Sequence, residues 1–435
     1  VTSSARTWGV LALSCAMIVG VAAPATAAPL NRSKPLDPHA VLIGGNLKEN
    51  AEILQTIVDL ADPDGTGPAR ARIAIVTAAS STARTPAEAA DATLNNAAAN
   101  GLYYAELFGR FGADTYAVPI DTRADYDGDA YYPARASDPE VAAQIAASTG
   151  VFFGGGDQMR YVRTLFTCDD AELEAFTSCT DTPAMTAIRQ VAGRGVVAGV
   201  SAGLTIQQGA DMITGGESYQ ALRDGATPGY LDDATALGYL PFGGFGFVDG
   251  VLLDSHFTTW GRQGRAAKLA LETGNPYVLG VDETTAVVLD RDDHEGRVIG
   301  EHGASILDVT RATVTDTGIE NVRWSYASAG DEIDLRGRAE VEDARGAKKL
   351  KPRGADAAVR TDVWDSIDGD GGVYSLRDLA REVAASRTGV GTGVSFEGEP
   401  RFETVLTRDR KTDVWTTPAG AVSFSDLRMD IRVAD

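Results

Sequence analysis

The sequence predicts an α/β protein: a doubly wound, mostly parallel sheet followed by a β-rich C-terminal region. Three observations carry that expectation. From Pro38 onward, short apolar runs recur without polar interruption, as strands covered on both faces do. Longer stretches of helical periodicity lie between them, giving the strand–helix alternation of a parallel sheet. After Val309 the texture changes to short runs of alternating polarity separated by turn residues.

In chain order, the first strand is "HAVLIGG" at 39–45, and a helix from Glu49 to Ala61 follows it. "ARIAIVTAAS" at 71–80 leads into a helical stretch from Thr85 to Phe111, and "DTYAVPI" at 114–120 is the next strand. A helix from Pro139 to Ala147 then precedes "TGVFFGGG" at 149–156. "GVVAGVSAG" at 195–203, "DGVLLDSHF" at 249–257 and "PYVLGVDETTAVVLD" at 276–290 continue the same sheet. Helices near Ala184–Val191 and Gln263–Thr273 lie between them, so the sheet domain occupies residues 29–309. Within 310–435, "ATVTDTG", "NVRWSYASAGDEIDL", "GVSFEGEPRFETVLT" and "AVSFSDLRMDIRVAD" read as strands and Ser375–Ala385 as a helix. This region is a small domain or an arm, and the basic run "ARGAKKLKPRGADAAVR" within it reads as an exposed linker.

Residues 1–28 have the layout of a secretory signal peptide: one charge at Arg6, an apolar run from Trp8 to Ala23, and small residues at Ala25 and Ala27 for cleavage after Ala27 or Ala28. Cys15 lies inside the apolar run with no lipoprotein pattern before it. No later apolar stretch is long enough to span a bilayer, so the expected mature protein is secreted and free of the membrane. A net charge of -22 disfavours nucleic acid and anionic lipid as partners. In an oxidising compartment Cys168 and Cys179, in "TCDDAELEAFTSCT", are expected to form a disulfide; their spacing is wrong for a zinc site and no histidine is near. Asp125, Asp127 and Asp129 alternate in "ADYDGDAYY", but the correctly placed glycine and the distal glutamate of a calcium loop are missing. No metal or cofactor is expected. Oligomeric state is left open, a homodimer included.

The chemistry centres on "GVVAGVSAGL". A serine nucleophile at the top of a sheet sits on a sharp strand-to-helix turn, where side chains two residues to either side would clash. Gly199 and Gly203 flank Ser201 at that spacing, although glycine–serine turns also occur in ordinary loops. Of the four histidines, His256 ends the strand "DGVLLDSHF", at the edge where ligands meet parallel sheets, and is the best general base. Asp282 and Glu283 end another apolar run and point to opposite faces, so one of them can orient His256. The N–H of Ala202 and one from the glycine loop Gly154–Gly156 can form an oxyanion hole. No lysine follows that loop as a phosphate-binding loop would require.

"AVLIGG", "VFFGGGDQMR", "GVVAGVSAGL", "LLDSHFTTWGRQGR" and "VLGVDETTAVVL", in this order and spacing, resemble the cyanophycinase family of serine peptidases, relatives of aspartyl dipeptidase. The resemblance covers Pro38 to Val309 and implies a fold like the class I glutamine amidotransferase domain, with serine in place of cysteine. It implies Ser201 as nucleophile, His256 as base, Glu283 as the acid orienting it, and Gly156 and Ala202 as oxyanion donors. Gln158, Asp254, Arg262 and Arg265 fall at the family's substrate-pocket positions. Ser255 and Trp260 depart from the family pattern there, where glutamine and arginine are usual. The implied substrate is an aspartyl-containing peptide or polymer, above all cyanophycin, a polyaspartate bearing arginine on each side-chain carboxylate. Two rivals remain: an esterase using Ser201, Asp254 and His302 in that chain order, and an exported binding protein of the same fold without chemistry.

Overall fold

A parallel unit opens the computed structural model, which describes residues 37–62, 71–168, 176, 178–369 and 372–434. The expected signal segment, residues 1–28, lies outside the described residues. Strand β1 (His39–Ile43) leads through helix α1 (Ala51–Ala61) to β2 (Arg72–Val76), and helices α2 (Pro86–Ala90) and α3 (Ala97–Arg110) lead to β3 (Asp114–Ala117). Helix α4 (Pro139–Ala146) precedes β4 (Gly150–Phe153). Helix α5 (Gln158–Leu165), the hairpin of β5 (Phe166–Cys168) and β6 (Cys179–Asp181), and helix α6 (Pro183–Ala192) precede β7 (Val196–Val200). A disulfide joins Cys168 to Cys179 across that hairpin, where the two residues are direct partners.

Five strands lie in the order β1-β7-β4-β2-β3, each pair parallel. Their side chains alternate between two cores. Val41, Ile43, Ile73, Ile75 and Ala198 pack with Ile53, Ile57, Leu107 and Phe108 of α1 and α3. Leu42, Val76, Phe153 and Val197 pack with Ile145, Val162 and Ile188 of α4, α5 and α6. Burial on both faces is why these strands read as unbroken apolar runs. The single helical stretch expected from Thr85 to Phe111 is two helices. The polar segment between them breaks the first, and Asn96 caps the second by accepting the Ala99 N–H at 2.9 Å.

Beyond β7 come helix α7 (Ala202–Thr205), helix α8 (Ser218–Asp224) and a small sheet of β8 (Met212–Ile213), β9 (Ala226–Pro228) and β10 (Leu237–Leu240). Next are β11 (Leu252–Asp254), helix α9 (Gln263–Thr273), β12 (Tyr277–Val281), β13 (Thr285–Asp290), β14 (Glu295–Gly300) and β15 (Gly303–Asp308). The remainder holds β16 (Thr313–Thr315), β17 (Gly318–Ser328), β18 (Glu332–Asp334), β19 (Glu340–Glu342), β20 (Lys348–Lys349), helix α10 (Ser375–Ala385), β21 (Val390–Val394), β22 (Phe402–Thr407), β23 (Asp413–Thr416) and β24 (Val422–Val433).

Here the architecture departs from a mostly parallel sheet. Strand β13 pairs antiparallel with β1 and is followed outward by β14, β18 and β19, so the first sheet is mixed. Strands β11 and β12 begin a second, largely antiparallel sheet in the order β11-β12-β15-β17-β24-β22-β21. The run "PYVLGVDETTAVVLD" is therefore two strands in two sheets, with the crossover at Asp282–Thr284, where Thr284 has φ +51°. An apolar run reports burial on both faces; it carries no information on strand direction or partner. The fold is α/β with mixed sheets. Among the described residues, 310–435 form no sheet of their own: β18 and β19 extend the first sheet, while β17, β21, β22 and β24 extend the second. Helix α10 packs Leu376, Leu379 and Val383 into the core that holds Trp324, Leu406 and Phe424.

Candidate active site

Ser201 stands at the carboxyl end of β7, in the turn that starts α7, with φ 57° and ψ -114°. The glycines around it are sterically required. A Cβ on Gly199 would lie 2.0 Å from the Gly203 carbonyl oxygen, and one on Gly203 would lie 2.2 Å from that of Phe153. The glycine loop after β4 approaches from the side, and a Cβ on Gly155 would come within 3.4 Å of Ser201 Cβ. Gly156 has φ +137°, and a Cβ there would lie 2.1 Å from the Ala79 carbonyl oxygen after β2. Ser201 and the glycine loop thus share the carboxyl edge of the parallel strands, the usual ligand edge of such sheets.

His256 and Glu283 reach Ser201 from the second sheet. Ser201 Oγ lies 2.7 Å from His256 Nε2, and His256 Nδ1 lies 2.8 Å from Glu283 Oε1. Glu283 Oε2 accepts the Asn46 side-chain amide at 3.2 Å. The His256 and Asn46 hydrogen bonds hold the Glu283 carboxyl below its ordinary range, against the effect of its partial burial. An ionised carboxylate can only accept, so Nδ1 carries the imidazole proton and Nε2 is free to accept the serine proton. Burial, assisted by the nearby Arg262 cation, holds His256 below its ordinary value, although Glu283 pulls the other way. The imidazole is therefore neutral at neutral pH, the state a general base needs.

The His256 backbone has φ +49° and donates its N–H to the Gly44 carbonyl at 2.7 Å. Its ring fills the space beside Gly45, where a Cβ would lie 2.2 Å from Cε1. On another side the Trp260 ring stacks on the imidazole, with centroids 4.0 Å apart and planes 6° from parallel. Trp260 keeps 39% of its surface exposed and carries the Arg262 guanidinium on its ring at 4.6 Å.

The other expected pocket residues divide. Arg265 binds Asp254 through two parallel hydrogen bonds of 2.9 and 2.6 Å and gives its third nitrogen to the Gly216 carbonyl, all buried. Gln158, the first residue of α5, donates to the Ile213 carbonyl at 2.7 Å. Ser255 is buried, its hydroxyl 3.5 Å from that of Thr205. Arg262 donates to the Ser255 carbonyl at 2.7 Å, leaves its buried Nε without a hydrogen-bond partner, and has its pKa lowered to about 10 by burial and the neighbouring Arg265. Of these, Trp260 lies on the imidazole and Arg262 on the Trp260 ring, while Asp254 pairs closely with Arg265 and, at 3.4 Å, with Arg262. The rival set of Ser201, Asp254 and His302 is not assembled, because the His302 ring lies against Tyr374 at 4.8 Å.

Gly44, Gly45 and Asn46, at the end of "AVLIGGN", were not among the expected site residues. Their position at the carboxyl end of the first strand was the available signal. Asp282 is the alternative to Glu283 in the sequence. Its carboxylate is fully buried and accepts the Thr258 N–H at 2.8 Å, the Thr258 hydroxyl at 2.7 Å and the Tyr326 hydroxyl at 2.7 Å. Tyr326 is more than forty positions away in the chain, and no local pattern announces it.

Fold and site together define an α/β protein with a serine–histidine–glutamate relay at the carboxyl ends of parallel strands. No protein-family model matches the chain. Its resemblance to the cyanophycinases is found in alignment as well as in the motifs. It is 32% identical over 209 residues to the cyanophycinase of Trichormus variabilis, covering 45% of this chain and 60% of the relative. With the cyanophycinase of Geminocystis herdmanii it shares 28% identity over 246 residues, 54% of this chain and 76% of the relative. The chain thus spans about 60% of the length of the Trichormus relative. A solved structure of a peptidase from an acI-B1 Actinobacterium aligns with a TM-score of 0.44 and 19% identity, over 68% of this chain and 96% of that one.

Proposed function

We propose that this chain is an exported serine peptidase that hydrolyses bonds next to aspartyl residues, with cyanophycin as substrate and β-aspartyl-arginine units as product. The observation that carries the reading is the continuous relay of 2.7 and 2.8 Å from Ser201 through His256 to Glu283. Ser201 Oγ attacks the scissile carbonyl while His256 Nε2 takes its proton, and Glu283 stabilises the imidazolium that forms. The N–H groups of Gly156 and Ala202 receive the developing oxyanion. His256 then returns the proton to the leaving amine, and water, activated by the same imidazole, releases the acyl group.

Recognition of the aspartyl carboxylate is assigned to Arg262, which lies on the Trp260 ring and has Nε without a hydrogen-bond partner. Trp260, whose ring already carries the His256 imidazole and the Arg262 guanidinium, keeps 39% of its surface exposed for contact with substrate. Export is supported by the charge and apolar pattern of residues 1–28 and by the disulfide, since such bonds persist in oxidising compartments. The direct test is to incubate purified protein with insoluble cyanophycin and with Asp-X dipeptides and to identify the products by mass spectrometry. Release of β-aspartyl-arginine that disappears in Ser201→Ala is the expected result; no product from either substrate overturns the reading.

A further inference from the structure

The geometry points to Arg377 and Tyr326, both from the C-terminal region, as positioning residues for the Ser201–His256–Glu283 relay, acting through the buried Asp282 carboxylate. This inference rests on the peptidase reading above.

Asp282 joins the two loops that carry the base and the acid. It precedes Glu283 in the crossover between the sheets, and both bonds to its Oδ1 come from Thr258, two residues after His256. The other oxygen faces residues beyond 310: the Tyr326 hydroxyl of β17 donates to Oδ2, and Arg377 Nη1 of α10 lies 3.8 Å from it. That Nη1 is buried without a hydrogen-bond partner, while Nε and Nη2 bind Asp378. The guanidinium lies 3.8 Å over the ring of Tyr374, which caps α10 and gives its N–H to the Thr259 carbonyl. Thr259 in turn accepts the Glu283 N–H through its hydroxyl. The start of α10 therefore sits on both loops.

The charge state of Asp282 matters because its three hydrogen bonds, two from Thr258 and one from Tyr326, are all accepted by the carboxylate. Protonated, it could still bond the two hydroxyls, which accept as well as donate, but it would lose the charge that faces Arg377 and strengthens all three bonds. Burial pushes the Asp282 pKa up, and the Thr258 bonds, Arg377 and Tyr326 pull it down. Other titratable or charged groups facing this network are Arg381, 4.8 Å over the Tyr326 ring, Tyr374, His302 on the Tyr374 ring, and the neighbouring Glu283–His256 pair. Removing the Arg377 charge raises the Asp282 pKa further, so Asp282 protonates at a higher pH and the loops loosen as pH falls.

The experiment measures the rate at which a fluorophosphonate labels the full chain between about pH 5 and pH 9. Wild type and Arg377→Met, Arg377→Lys, Tyr326→Phe and Ser201→Ala variants are compared, with circular dichroism as a fold control. Arg377→Met is expected to label about tenfold or more slowly near the acid end and to recover toward wild type at the alkaline end. Arg377→Lys should restore most of the rate, and Tyr326→Phe should move the acid limb in the same direction by less. A wild-type rate and limb in Arg377→Met overturn the inference, as does a loss equal at every pH in a folded protein. Should Arg377→Met not fold, an unshifted limb in Tyr326→Phe overturns it. Failure of the wild type to label, or labelling that survives Ser201→Ala, overturns the peptidase reading instead.

Discussion

The two halves of the relay are held in place by different forces. Ser201 belongs to the first sheet, at the end of a strand with parallel neighbours on both sides, and backbone packing at Gly199, Gly203 and Gly155 sets its position. His256 and Glu283 belong to loops at the ends of strands in the second sheet. Their surroundings are ionic: the Asp254–Arg265 pair precedes the base, and Asp282 precedes the acid. A position set by sterics is insensitive to pH, whereas one set by buried charges depends on each remaining ionised. The Ser201 side is thus rigid by shape, and the His256–Glu283 side is rigid only while its charges stay paired.

Loss of the relay itself should have the largest effect. Ser201→Ala and His256→Ala are each expected to abolish hydrolysis of aspartyl substrates while leaving circular dichroism and the melting transition unchanged. Residual turnover near the wild-type level in either variant would break the assignment of the nucleophile side to Ser201.

Steric intrusion should come next. Gly45→Ala places a Cβ into the His256 ring at a backbone φ of +151°, so the imidazole must move. A displacement of about an ångström costs on the order of a hundredfold in rate. The expected result is a fall in kcat of that size with KM little changed, measured on a small ester.

The two arginines separate stability from recognition. Arg265→Ala leaves the buried Asp254 carboxylate with only Arg262 at 3.4 Å and the Ser255 N–H, and should destabilise the fold by about 3 kcal/mol, read from urea unfolding. Arg262→Ala should leave stability closer to wild type and raise KM for an aspartyl substrate more than for a neutral ester. Equal KM changes on both substrates would make Arg262 a structural residue like its neighbour.

The pH dependence is the smallest effect and sharpens the comparison. Catalysis needs neutral His256, whose pKa lies below the 6.5 of free imidazole, so kcat/KM should rise with pH to a plateau reached before neutrality. Glu283→Gln removes the carboxylate that favours the protonated imidazole. It should lower the plateau and move the acid limb to still lower pH. An upward movement of the limb would mean that another group controls it.

Local pattern was enough for the turn that carries Ser201. An apolar run followed by glycine, serine and glycine at two-residue spacing already implies a strand-to-helix turn, because the clash at Gly199 and Gly203 is a short-range property of the chain. The helices Gln263–Thr273 and Ser375–Ala385 were legible for a similar reason, since their periodicity is local. The direction of β13, the assignment of β11 and β12 to a second sheet, and the pairing of Arg265 with Asp254 were decided only by the tertiary structure. So was the reach of Tyr326 and Arg377 to Asp282. Strand partners and buried ion pairs join residues far apart in sequence, and an apolar run or a single charge states only that it must be covered or paired, not by what.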